Sequence, residues 1–358
     1  MDIFQSTEQY EAWMRNQMLV QEKDLAVKHQ KMAEDLFEFF RATYYRWAEH
    51  WTDVCPQLAK APACLVVADL HVENFGTWRD SEGRLVWGIN DFDEACPLAY
   101  TNDLVRLASS AIISIDDPAR PCEIKPGEAS GAILKGYHDG LKAGGLPFVL
   151  EERHTWLRKL ATNDLRDTEK FWKKLEQAPP WPNPLPGNVE AVLKQSLPEK
   201  SIVQKISARV AGLGSLGRYR FVALAERAGG YLAREAKSYL SPVSAKDDPT
   251  CYYEEIVSKA VRCPDHTLGI TEGWVIRRLS PYCSRVELSV LPKEHDDEKL
   301  FQAMGFEIAN IHLGSAGAET ILSDLATRPE TWLHDSAHAM LDAIKTDWRN
   351  WKSNQGAT

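Results

Sequence analysis

The sequence predicts an α+β chain, with helical segments on both sides of one β-rich segment. Three observations predict it. Apolar residues recur at helical spacing through residues 8–50, 101–115, 125–177 and 300–317. Between residues 205 and 240 the texture changes to strand-like alternation around glycines. Between these regions, APPWPNPLPGN (178–188) carries five prolines, which stop a helix and mark a boundary. The expected division is a helical region over 1–198, a β-rich region over 199–290, and C-terminal helices over 291–358 that pack back on the first.

In chain order, LFEFFRATYYRWAEHW (36–51) carries an aromatic stripe at helical spacing, which reads as a packing helix. Residues 63–68 and 84–90 read as two short strands. WRDSEG between them has hairpin-turn chemistry, with Asp80 and Gly83 as turn formers. TNDLVRLASSAIISI (101–115) opens on capping residues and continues as an apolar helix. After the proline-rich connector, a short helix leads into strands around glycine turns. Residues 251–262 suit a helix, and 273–279 (GWVIRRL) another strand. LFQAMGFEIANIHLGSAG (300–317) is a helix ending at glycine. The tail, 329–352, reads as an exposed helix.

Bulk properties narrow the function. A chain of 358 residues with 44% hydrophobic residues can bury a large core. Its net charge of −9 argues against a nucleic-acid or anionic-membrane partner. The opening MDIFQSTEQYEAWMRNQ lacks the basic and apolar regions of a signal peptide, and no apolar run is long enough to span a membrane. The seven cysteines are scattered, with no CxxC pair, and read as reduced thiols in a cytoplasmic protein. The tryptophans, including Trp87 and Trp274 in strand-like runs, are expected in cores.

Two constellations carry chemistry. In VVADLHVENFG (66–76) an apolar strand runs straight into Asp69, His71, Glu73 and Asn74. Asp91 follows at the end of the second strand, with Asp93 and Glu94 beside it. Turns at two strand ends can bring Asp69, Asn74 and Asp91 onto one rim. Carboxylates and an amide oxygen are the hard donors that Mg²⁺ takes. Phosphoryl transfer needs such a set: Asp69 to orient the attacking hydroxyl and accept its proton, and Asn74, Asp91 and Asp93 to hold metal on phosphates. The blander reading is that these are turn and capping residues. It suits any one of them better than it suits the whole pattern. His71 is expected to brace the loop. The D-L-H opening also suits a metallophosphoesterase, but the downstream G-D-x-x-D, G-N-H and G-H-x-H signatures are absent.

In AGLGSLGRYRFVALAE, Gly212, Gly214 and Gly217, with Ser215 among them, form a G-x-G-x-x-G loop. A strand follows it, not the helix of a dinucleotide fingerprint. A glycine loop between strands is the geometry of a lid over nucleotide phosphates. The bland alternative is a glycine-tipped hairpin. A lid implies a cation on the next strand, where GYLAREAKSYL offers Arg234 and Lys237. Three positions apart on a strand, they face opposite sides, and Lys237 is the favoured phosphate partner. The helix after it offers Glu255 or Glu254 to hold that cation, and Glu235 offers a local substitute. Arg277, Arg278 and Arg285 suit an anionic substrate, or else are solvated strand charges.

ADLHVENFG, INDFDEA and NDLVRLASS together resemble the core of the aminoglycoside phosphotransferase and choline kinase group, part of the protein-kinase-like fold. That resemblance implies Asp69 as catalytic residue, Asn74 and Asp91 as metal ligands, and Asp103 as the helix residue bracing the catalytic loop. Val67-Ala68 stands where the group has His-Gly. Across residues 30–317, KMAEDLFEFFRATYYR, ADLHVENFG, INDFDEA, GLGSLGRYRFVALAE, REAKSYL, GWVIRRLSP and MGFEIANIHLGSAG resemble the bacterial family called domain of unknown function 2252. The catalytic loop precedes the glycine loop here, the reverse of the kinase order. MGFEIANIHLGSAG resembles the helix that normally precedes the catalytic loop, so a circular permutation is implied. The expectation is a two-lobed kinase-like protein that binds ATP and Mg²⁺ and phosphorylates a small-molecule hydroxyl. The alternatives are a non-catalytic nucleotide-binding scaffold, or an enzyme of the same fold that transfers AMP.

Overall fold

The computed structural model describes residues 1–118, 122–162, 167–182, 184–248, 250–283 and 296–355. The chain is α+β with antiparallel sheets. It opens with α1 (Ile3–Gln17), α2 (Glu22–Glu34), α3 (Leu36–Ala42) and α4 (Tyr44–Val54). Polar caps set the first and third of these. Asp2 accepts from Gln5 N while the Gln5 side chain accepts from Asp2 N, and Asp35 accepts from Glu38 N. Strands β1 (Ala63–Val66), β2 (Phe75–Arg79), β3 (Leu85–Ile89) and β4 (Cys96–Ala99) follow. Then come α5 (Thr101–Ile115), α6 (Pro126–Ala143), β5 (Phe148–Val149), α7 (Thr155–Ala161), α8 (Thr168–Gln177) and α9 (Val189–Ser196).

The expected hairpin exists, but its strands differ. β2 and β3 pair across the Asp80–Gly83 turn, where Asp80 accepts from Glu82 N and Arg84 N. β1, the strand read from 63–68, pairs with β4 instead. Phe75–Arg79 lies so close behind the polar 69–74 loop that its strand pattern is masked in the sequence.

The β-rich region is a five-stranded sheet in the order β6-β7-β8-β10-β9. It is built from β6 (Ile202–Ala208), β7 (Arg220–Arg227), β8 (Gly230–Ser238), β9 (Gly269–Thr271) and β10 (Trp274–Leu279), with α10 (Tyr252–Lys259) between β8 and β9. One face is apolar: Phe221, Ala223, Ala236 and Ile276 pack on Val189, Val192 and Leu193 of α9. On the other face, Val222, Ala233 and Leu279 pack on Phe171, Trp172 and Leu175 of α8. The rest of that face carries Arg220, Glu235, Lys237 and Arg277. Helices α8 and α9, which lie before the boundary at residue 198, therefore pack on the sheet.

Helices α11 (Asp297–His312), α12 (Ala318–Leu325) and α13 (Trp332–Gln355) complete the chain. α6 and α11 touch backbone to backbone. A Cβ on Gly136 would lie 1.9 Å from Gln302 O, and one on Gly305 would lie 2.0 Å from Ile133 O. The tail helix is not the exposed element the sequence suggests. Trp332, Leu333, Met340, Leu341, Ile344 and Trp351 of α13 are buried in the main core. Its opposite face is polar, with Asp335, Asp342, Arg349 and Lys352 exposed. Trp87 and Trp274 are buried as expected.

Candidate functional site

β1 ends at Val66 and the chain turns sharply. Asp69 N donates to Val67 O at 3.0 Å, and Ala68 between them has φ 68°. This is a γ-turn about a positive φ, a strained conformation. The left-handed region costs an L-residue about 1–2 kcal/mol. Asp103 on α5 holds the turn: Oδ2 accepts from Val67 N at 2.7 Å and Oδ1 from Ala68 N at 2.8 Å. Asp103 is fully buried, and His312 at the end of α11 places Nε2 3.2 Å from its Oδ2. Tyr137 Oη lies 2.8 Å from the other nitrogen of that ring. The bracing role implied for Asp103 is visible in these bonds.

Asp69 is 24% exposed, and its Oδ1 accepts from Nε (3.0 Å) and Nη2 of Arg106. Arg106 is wholly buried, with its guanidinium 4.1 Å from the Phe40 ring centre and 4.9 Å from that of Trp47. Burial lifts the Asp69 carboxyl to about 6, and Arg106 opposes the rise. Sequence reasoning missed Arg106, although a signal existed: Asp103 and Arg106 are three apart on α5 and share a face.

His71 and Asn74 brace the loop. His71 Nδ1 accepts from Glu73 N at 3.2 Å, and Asn74 Oδ1 accepts from His71 N at 2.7 Å. A carbonyl oxygen keeps a second lone pair after one such bond. Asp91, just past β3, is 41% exposed. Lys237 Nζ lies 2.6 Å from Asp93 Oδ2 and 3.5 Å from Asp91 Oδ1. Burial pushes the Asp91 carboxyl up, but Lys237, Arg277 and Arg220 outweigh it and hold the value below the usual range. Glu94 accepts from Val243 N at 2.7 Å and pairs with Arg218 at 3.4 Å. Its burial raises the carboxyl to about 7 against Arg218.

These groups fit Mg²⁺. Asp91 opens on the cleft, Asn74 has a spare lone pair, and Asp93 Oδ1 is buried with no hydrogen-bond partner among the described residues. Among the described residues, no three His, Cys, Asp or Glu side chains form a metal cage by themselves. A cation here needs ligand oxygens too, the usual state of Mg²⁺ on phosphates.

The glycine loop joins β6 to β7 and lies over Asp69. A Cβ on Gly214 would be 3.6 Å from Asp69 Oδ2 and 3.0 Å from Arg41 O. Gly212 (φ 75°) and Gly217 (φ 95°) take left-handed turns. Ser215 Oγ accepts from Arg220 Nη2 at 2.8 Å. The N-terminal helices fix the loop's far end, where Gln21 N donates to Gly217 O at 2.8 Å.

Two expected cofactor residues lie outside this arrangement. Arg234 faces away and donates to Ser196 O at 3.2 Å, because strand alternation gives the cleft to Lys237. Glu255 pairs with Lys259 one turn on in α10, at 2.6 Å, and does not reach Lys237, whose charge Asp93 and Asp91 meet. Glu235 is the structural carboxylate of the sheet. It is fully buried and takes Arg277 Nε at 2.6 Å, Arg220 Nη1 at 2.8 Å and Arg209 Nη1. Arg277 is thus no solvated strand charge. Arg285 lies outside the described residues.

No described helix is long and apolar enough to cross a membrane. No match to the chain is found among curated proteins or among solved structures. Residues 20–123, which carry Asp69, Asn74, Asp91, Asp103 and Arg106, match the model of the family described as "Uncharacterized protein conserved in bacteria (DUF2252)".

Proposed function

We propose that the cleft transfers a phosphoryl group from Mg²⁺-bound ATP to the hydroxyl of a small molecule, on a circularly permuted kinase-like frame. One observation carries this reading. The glycine loop lies over Asp69 while Lys237 meets Asp91 across 146 positions, so two separate sequence constellations form one cleft. The order glycine loop, cation strand, helix within the sheet region also supports it. So does α11, followed by Ser315, whose Oγ accepts from Leu65 N at 2.8 Å across 250 positions. That contact seats the helix against β1, where the permuted order needs it.

In this reading the acceptor oxygen attacks the γ-phosphorus, its proton passes to Asp69, and the P–O bond to ADP breaks with its electrons on ADP. Arg106 fixes the Asp69 carboxylate, and its raised basicity suits proton acceptance near neutrality. Asp91, Asn74 and Asp93 would hold Mg²⁺, which when bound supplies charge neutralisation on the phosphates. Glycine-loop N–H groups and Lys237 would meet the phosphate oxygens.

A second reading, nucleotide binding without transfer, has one observation in its favour: Gly214 lies over Asp69, beside a small cavity of about 60 Å³. The test combines melting temperature with product mass. ATP with Mg²⁺ is expected to raise the transition of the wild type and of Asp69→Ala, because a ligand of the folded state alone stabilises it. Only the wild type is expected to add a phosphate to members of a hydroxyl-compound panel. A shift without transfer favours the second reading, and product heavier by AMP gives nucleotidyl transfer. No shift at millimolar nucleotide overturns both readings.

A further inference from the structure

We propose that Arg209, Arg220 and Arg277, gathered on Glu235, form an anion subsite that takes a phosphate-type oxyanion of the bound ligand. The inference concerns the same cleft but stands without the transfer reading, since it needs neither metal nor Asp69. Three guanidiniums converge on one fully buried carboxylate. Two positive charges are left over. Burial pushes the Glu235 carboxyl up, yet the three arginines hold it well below its ordinary range, so it stays ionised and the excess stays positive.

The excess faces open space. All three arginines line a cleft of about 640 Å³, which also reaches Asn74 and Asp91. Arg277 and Arg209 are 29% and 38% exposed. Among the described residues, Arg277 uses only Nε, toward Glu235, and its terminal nitrogens donate to no protein group. A guanidinium fork fixed at one edge presents its other donors with little entropy left to lose. Arg262 adds a fourth cation on the cleft wall. Its guanidinium lies 4.4 Å from the Trp78 ring centre, and Nε and Nη1 are buried without hydrogen-bond partners among the described residues. The cleft lining also carries Glu38, Glu73, Asp91 and Asp265, but its basic side chains outnumber them, in a chain whose net charge is −9.

Arg220 also ties the subsite to the lid, through Ser215 Oγ. An oxyanion on the triad would therefore sit between the sheet face, the glycine loop and Asp91. Two sources supply that chemistry: the phosphate chain of a nucleotide, or a phosphorylated acceptor.

The test is calorimetric titration of the intact protein with inorganic tripolyphosphate in EDTA, repeated with ATP and Mg²⁺ present. The wild type is expected to bind, more weakly as salt rises. Arg277→Gln and Arg209→Gln are each expected to weaken binding by about tenfold or more, since each removes a charged donor. Arg227→Gln removes an equal charge at the exposed far end of β7 and is expected to change nothing. Arg209 is the most exposed of the three, so its variant keeps the test open if Arg277→Gln fails to fold. Competition between tripolyphosphate and ATP assigns the subsite to the nucleotide, and simultaneous binding assigns it to a phosphorylated acceptor. Failure of the wild type to bind, or equal weakening by Arg227→Gln, overturns the proposal. Retained binding in Asp69→Ala alongside lost transfer would separate this subsite from the transfer chemistry.

Discussion

Replacing Asp103 with alanine should loosen the loop that carries Asp69. The side chain accepts two backbone N–H groups, from Val67 at 2.7 Å and Ala68 at 2.8 Å, in a place with no water access. A hydrogen bond to a charged group contributes about 1.5–3 kcal/mol, so the pair is worth about 3–6 kcal/mol. The strain of Ala68 at φ 68°, about 1–2 kcal/mol, is held in place by these same bonds. Once they are gone, the turn gains by relaxing away from the γ-turn. The expected net loss is about 1–5 kcal/mol, set against an ordinary domain's 5–15 kcal/mol. Urea denaturation measures it. The same change in an Ala68→Gly background should cost more, by up to about 1–2 kcal/mol, because glycine carries no left-handed strain whose release would offset the lost bonds. A loss under about 1 kcal/mol, or no coupling between the two sites, would refute the argument that Asp103 holds a strained turn.

Three further predictions concern charge and packing. On the proposed reading, transfer activity should fall on acidification with an apparent pKa near 6, the Asp69 value. Folding stability should run the other way. The folded Asp69 carboxyl lies above the ordinary value near 4, so the folded state binds the proton more tightly. Its contribution is therefore present below pH 4 and lost as pH rises from about 4 to about 6. Two pKa units bound the loss at about 3 kcal/mol, and the quarter exposure of the side chain lowers that figure. Comparing wild type with Asp69→Asn across this window isolates the effect, and equal slopes would count against it. Gly136→Ala places a methyl 1.9 Å from Gln302 O, so α6 and α11 must separate. Thermal unfolding should show a loss of at least about 1–3 kcal/mol, and an unchanged transition would mean that the helices are not in backbone contact.

Much of the site can be read from the chain because it depends on near neighbours. A polar set directly behind an apolar strand marked Asp69, His71, Asn74 and Asp91, and glycines between strands marked the loop at 212–217. Strand alternation fixed that Arg234 and Lys237 must part. The carboxylates at residues 91 and 93, brought in from 146 and 144 positions away, show which of the two faces the cleft. The cation's partner was beyond local reach for the same reason, and Glu255, plausible by order, is satisfied within its own helix.

The Glu235 cluster, the orphaned Asp93 oxygen and the contact of Gly136 with α11 likewise depend on chain segments meeting in space. So does the burial of α13, whose charged face gave it an exposed look in sequence. Periodicity, turn chemistry and capping act over a few residues, so sequence alone determined the long helices, the strands with clear alternation and the chemistry offered at each turn, while short strands such as Phe75–Arg79 escaped it. Which charges neutralise one another, and which apolar stripe finds a partner, depend on distance through space, and only the tertiary structure decided them.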